Sequence, residues 1–101
     1  MIKLTVLYGH PTDDSVFEDY YANTHMPIAG KMTGFTRLEL SKFFPSPDGS
    51  KAAYYRMAEF WFETPEALQE TMSSAEGQAT SADLPNFATG GVTIMAGAVE
   101  E

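Results

Sequence analysis

The sequence predicts an α+β protein: strand, helix, strand, strand, helix, strand, with a four-stranded antiparallel sheet and helices on one of its faces. Three observations carry this. Apolar residues alternate with period two over four short segments; helix-start signals open the segments between; Pro, Gly, Asn and Asp fall at the junctions. At 101 residues, 44% hydrophobic and 13% aromatic, the chain suits a single folded domain over residues 1–101 and not a disordered one.

Ile2 to Tyr8 is the first strand, with Ile2, Leu4, Val6 and Tyr8 on one face and Lys3, Thr5 and Leu7 on the other. Gly9-His10-Pro11-Thr12 ends it, because proline fixes φ and has no amide proton. Asp13, Asp14 or Ser15 caps the helix that follows, and Glu18 and Asp19 suit the dipole of its first turns. At 3.6-residue spacing Phe17, Tyr20, Tyr21, Thr24 and Ile28 share the core side, flanked by Val16 and His25. Glu18, Asp19, Ala22, Asn23 and Met26 point elsewhere. Pro27 disfavours helical geometry at Met26, so the helix is expected to tighten or bend near His25 and to finish by Lys31.

After Thr33-Gly34 the second strand runs from Phe35 to Phe44, with Phe35, Arg37, Glu39 and Phe43 opposite Thr36, Leu38, Leu40 and Phe44. Pro47-Asp48-Gly49 turns the chain into the third strand, Tyr54 to Glu63. Tyr54, Arg56, Ala58, Phe60 and Phe62 share one face of that strand, and Tyr55, Met57, Glu59, Trp61 and Glu63 the other. Thr64-Pro65-Glu66 opens a helix with a capping threonine and proline at the first position. Ser73 to Glu76 starts a second short helix that Gly77 weakens, and Asp83 to Phe87 is a loop. Val92 to Val99 is the fourth strand, and Glu100-Glu101 a solvated tail. This order is the ferredoxin-like βαββαβ arrangement. Strands three and four are apolar on both faces, so a lone protomer exposes apolar sheet surface; the expected remedy is a homodimer packed sheet to sheet.

Composition narrows the partners. Six basic against 14 acidic side chains give a net charge of −8, which repels nucleic-acid backbones and anionic lipid. No stretch approaches the roughly 20 apolar residues needed to span a bilayer, and the first residues read as a strand, not a signal peptide. With no cysteine, disulfides and thiolate chemistry are excluded, and a cytoplasmic location is expected. No phosphate-binding glycine loop and no G-x-S-x-G motif occurs, so no nucleotide cofactor is expected.

Several segments resemble a known family. Tyr8-Gly9-His10-Pro11, Tyr20-Tyr21-x-x-Thr24-His25-x-Pro27-Ile28, Thr33-Gly34-Phe35 and Leu84-Pro85-Asn86-Phe87 together are similar to the EthD family, named for a protein of ethyl tert-butyl ether degradation. The most specific piece is Tyr-x-x-x-His-x-Pro. The resemblance implies a member of the dimeric α+β barrel superfamily, a homodimer with a pocket between each sheet and its helices. It implies no single reaction. With only two histidines, neither a metal nor a haem site is expected.

Within that frame His25 is the foremost candidate. An imidazole with an ordinary pKa of about 6.5 can take or give a proton near neutrality; the plain alternative is a histidine that fixes the helix end. Tyr21 is the second catalytic candidate, an acid or anchor, against a packed aromatic with a satisfied hydroxyl. Tyr8, Phe17, Phe60 and Trp61 are candidate substrate-binding residues, suited to a hydrophobic small molecule. His10 reads as a solvated or turn-stabilising loop residue. Arg37, Glu39 and Glu59 read as structural ion pairs on a sheet face, and Arg56 as a basic group of unassigned role. The expected function is that of a small cavity protein of a catabolic or secondary-metabolite pathway. It would act as a cofactor-independent oxygenase, isomerase or dehydratase on a hydrophobic compound; the alternative is a non-catalytic binding or accessory protein that supports a partner oxidase.

Overall fold

In the computed structural model, which describes residues 1–100, four strands are present: β1 (Ile2–Tyr8), β2 (Arg37–Lys42), β3 (Arg56–Phe62) and β4 (Val92–Ala98). They form one antiparallel sheet in the order β2-β3-β1-β4. Both central strands read as expected because their apolar residues alternate: Leu4, Val6 and Tyr8 of β1, and Ala58, Phe60 and Phe62 of β3, are buried beneath the helices. Register sets Leu4 opposite Phe60 and Val6 opposite Ala58, so these side chains form one continuous floor. The fold is ferredoxin-like α+β.

The strands flanking the hairpin are shorter than their composition suggested. Phe35 precedes β2 and turns to the core, where its ring meets Phe60 at 5.4 Å edge-on, so it does not share the face of Arg37 and Glu39. Tyr55 precedes β3, is buried, and packs edge-on against Phe17 at 5.1 Å. In both cases burial of a large ring outweighs strict alternation at a strand end. The connecting loop closes where expected: Asp48 accepts bonds from the backbone and hydroxyl of Ser50, and Gly49 supplies a φ of 85°.

The first helical region differs from its expectation in one informative way. It runs as α1 (Asp14–Tyr20), a π-helical turn (Tyr21–His25) and α2 (Met26–Ala29), capped by the Asp13 side chain on the Val16 N–H. The helix widens near His25; it does not tighten. Met26 N–H reaches back five residues to the Tyr21 carbonyl. Four residues of regular α-helix overshoot a full turn by about 40°, so a stripe repeating every fourth residue would drift off the core. The wider turn removes that drift, and Phe17, Tyr21, His25 and Ala29 are all buried. Thr24, expected inside, is exposed, and Met26, expected outside, packs against the core. Pro27 does not end the helix: the missing N–H and the ring meet a turn already opened.

Helices α3 (Pro65–Ser73) and α4 (Ala75–Asp83) follow β3; Thr64 caps the first as its sequence predicts, and Ser74 caps the second. Gly77 proves to be a packing requirement and not a weakness. A Cβ there would lie 2.1 Å from the Thr71 carbonyl oxygen, so only glycine lets the two helices meet this closely. The expected loop at 83–87 is ordered: Asp83 ends α4, and Leu84–Asn86 forms a 3₁₀ turn. Of the expected tail, Glu101 lies outside the described residues.

The helices leave β4 uncovered. Its residues are exposed throughout, including Ile94 at 47% on the helix side and Met95 at 50% on the open side. On the open face Trp61 lies beneath two cations, Lys3 at 5.7 Å and Arg37 at 5.0 Å from its ring centre. Glu39 and Glu59 face each other across β2 and β3, a repulsive pair relieved by Arg37 bonding Glu39 and by Lys3 at 3.0 Å from Glu59. No helix among the described residues is long and apolar enough to cross a membrane.

Candidate functional site

Between the sheet and the helices lies a cavity of about 40 Å³. Its floor is Leu4, Val6 and Tyr8 with Ala58, Phe60 and Phe62; its roof includes Tyr21, His25, Ala29 and Leu84, and Ile94 of the uncovered strand stands at its border. Met26, Met32 and Met72 complete the lining, and their unbranched thioethers allow it to adapt to a guest. No carboxylate, lysine or arginine lines it.

His25 enters this cavity because the π turn rotates it inward. The imidazole is 3% exposed and stands between aromatic rings, Phe87 at 4.5 Å and Tyr21 stacked at 5.8 Å. Nδ1 lies 2.9 Å from Oδ2 of Asp83, at the end of α4. Asp83 is itself buried, and its other oxygen accepts the Tyr20 hydroxyl at 2.6 Å and the Asn86 amide at 3.0 Å. Burial opposes the charge on Asp83, but the bonds from Tyr20, Asn86 and His25 together outweigh it and hold the carboxyl below its ordinary range. An anionic Asp83 makes Nδ1 the protonated nitrogen and leaves Nε2 as the basic one. Nε2 has no hydrogen-bond partner among the described residues.

The structure brings Tyr21, His25, Tyr8 and Phe60 together around one space. Phe17 stands one layer back, against Tyr8 at 5.5 Å and stacked on Tyr21 at 5.5 Å; it supports the wall without lining it. Trp61 is on the opposite sheet face and reaches no part of the cavity, since alternation sends it away from Phe60 and Phe62. His10 bonds the Ala52 carbonyl at 2.6 Å and ties a loop.

Tyr21 is not a satisfied packed aromatic. Its hydroxyl is buried with no partner, and burial above all pushes its pKa up to about 12, so it stays a proton donor at neutral pH. Burial likewise raises Tyr8, with Tyr21 adding to the shift. Over the Tyr21 ring lies the Arg56 guanidinium at 4.8 Å. Arg56 donates two bonds to Glu18, at 2.6 and 3.2 Å, and Lys42 approaches Glu18 at 3.5 Å. Burial opposes ionisation of Glu18, but the Arg56 bonds prevail and lower its pKa. The arginine of unassigned role is therefore the ion-paired lid of the aromatic stack.

Asp83 was not singled out from the sequence. It lies 58 positions from His25, and no local pattern reports such a pairing. The one available signal was its place beside Leu84-Pro85-Asn86-Phe87, a segment that supplies both Asn86 to the carboxylate and Phe87 to the imidazole.

Comparison with known proteins agrees with this architecture. A family model described as EthD domain matches residues 9–91. An uncharacterised 11.0 kDa protein from the thcB–thcC intergenic region of Rhodococcus erythropolis is 34% identical over 95 residues, covering 94% of this chain and 91% of that one. The crystal structure of an ethyl tert-butyl ether d (EthD) family protein from Bacillus halodurans superposes with a TM-score of 0.91 at 34% identity, over 99% of each chain. A dimeric ferredoxin-like protein of Thermobifida fusca shares the fold at a TM-score of 0.72 and 8% identity, over 97% of this chain and 90% of that one. The chain belongs to the EthD family.

Proposed function

We propose that this chain binds a hydrophobic small molecule in the cavity beneath the π turn and α2 and that His25 moves a proton on it without a cofactor. One observation carries the reading: a buried imidazole in the cavity wall, its Nδ1 oriented by a buried carboxylate and its Nε2 left unpartnered. That is the geometry of a general base whose positive charge, once formed, is stabilised by the carboxylate behind it. Tyr21, held protonated, serves as the donor in the same wall. The apolar lining favours uncharged substrates, and a dry site strengthens the His25–Asp83 interaction.

Uptake of solvent deuterium into a panel of carbon acids tests this reading, with cyclohexanone, 1-indanone and 2-tetralone as first probes followed by NMR. The expected result is exchange faster than buffer alone for at least one probe, abolished by His25→Ala. Binding of such probes with no exchange above buffer, and none changed by the substitution, would contradict proton transfer.

The protomer is proposed to act as a homodimer joined through the open sheet face and β4. The exposed Ile94 and Met95 and the cation-flanked Trp61 support this, as does the dimeric relative that shares the fold. Ile94 borders the cavity, so a partner over β4 would close it. Sedimentation velocity at micromolar protein checks the assembly: a dimer is expected, and a stable monomer contradicts it.

A further inference from the structure

Two buried hydroxyls make no close hydrogen bond among the described residues, those of Tyr21 and Tyr55, but the second has Glu18 and Lys42 beside it. They sit in different surroundings. Tyr55 lies outside the cavity, between Phe17 and His10 near the end of the sheet. Tyr21 is 3% exposed, lines the cavity, and stacks on His25 in its wall. A hydroxyl buried without a partner keeps the whole cost of its lost hydration, and a guest in the adjoining space can supply the acceptor that the fold does not. No carboxylate, lysine or arginine lines the cavity, His25 is already paired with Asp83, and Glu18 and Arg56 satisfy each other. A charged guest would lie there unpaired, while a hydrocarbon would leave the hydroxyl unmet.

We propose that the Tyr21 hydroxyl is the recognition point for a ligand oxygen, so that the cavity selects compact, uncharged, largely apolar molecules bearing a carbonyl or phenolic oxygen over the matching hydrocarbons. The inference rests on the cavity reading given above and adds the chemical class of the guest. It also gives Tyr21 a specificity role that is separable from the proton transfer at His25.

The test is a pair of near-isosteric probes, p-cresol and p-xylene, titrated calorimetrically into the intact protein and into Tyr21→Phe and Tyr55→Phe. The wild-type protein should prefer p-cresol by about five- to tenfold, the worth of one hydrogen bond. Tyr21→Phe should bring the two probes level with p-xylene affinity unchanged, which also shows the cavity intact. Tyr55→Phe should keep the preference. Equal affinities in the wild type, or a preference that survives in Tyr21→Phe, overturns the inference and leaves the cavity reading standing. Failure of both probes to bind any of the three proteins overturns the inference together with the cavity reading beneath it.

Discussion

At Asp83 a carboxylate only 5% exposed accepts bonds from Tyr20, His25 and Asn86. Truncation to alanine leaves the buried His25 without its partner, while the half-buried Tyr20 and the exposed Asn86 can turn to water, so Asp83→Ala should cost about 1–3 kcal/mol in urea unfolding. Its pH dependence has a definite sign. The folded-state pKa lies below the unfolded value of about 3.9, so the contribution is complete above that pH and is lost as pH falls through the folded value. Urea unfolding measured between pH 7 and 3 should show an acid-side loss that is smaller in Asp83→Asn. Tyr21 is the opposite case. Removing an unsatisfied hydroxyl costs no bond, so Tyr21→Phe should be neutral or stabilising by up to about 1 kcal/mol, where an ordinary buried tyrosine would lose stability. At this scale His25 was singled out mainly through the resemblance carried by Tyr-x-x-x-His-x-Pro, because residue type and spacing alone suit a histidine that fixes a helix end and a packed tyrosine equally well. The carboxylate was not legible, because the fold and not the neighbouring sequence brings it across.

Among the elements, α4 depends on how closely it can follow α3. Gly77→Ala forces a Cβ against the Thr71 carbonyl, and thermal unfolding should register about 1–3 kcal/mol of overpacking, well beyond the ordinary helix preference for alanine. The strands of the central pair were readable because one face is buried and one open, which imposes period two. The π turn was not, since its trace is a single-residue change of phase. Both Thr24 and His25 fit a regular helical stripe about equally well; only the depth of the sheet contacts decides that His25 goes in. Gly77 misled for a related reason, because a glycine that permits close approach and one that merely loosens a helix look alike in sequence.

For the whole molecule the sheet's open face is the unresolved surface of a lone protomer. Balanced ion pairs cover the β2–β3 side, whereas the β4 side presents Met95 among small residues. A charge placed there should act on assembly and not on folding. Met95→Lys is expected to shift sedimentation from dimer toward monomer while leaving the protomer's far-ultraviolet dichroism unchanged. Apolar residues on both faces of β4 made this surface visible in sequence, since a strand needs only one buried face in a two-layer monomer.

The most direct measurement compares His25→Asn with the wild type. The asparagine amide can replace Nδ1 as a donor to Asp83, but nothing replaces Nε2. Retained thermal stability and retained binding, with deuterium exchange into the bound carbon acid slowed about 100-fold or more, is the predicted result. A large loss of stability accompanied by unchanged exchange per folded molecule would contradict it, and would make His25 a structural pin at the end of the π turn.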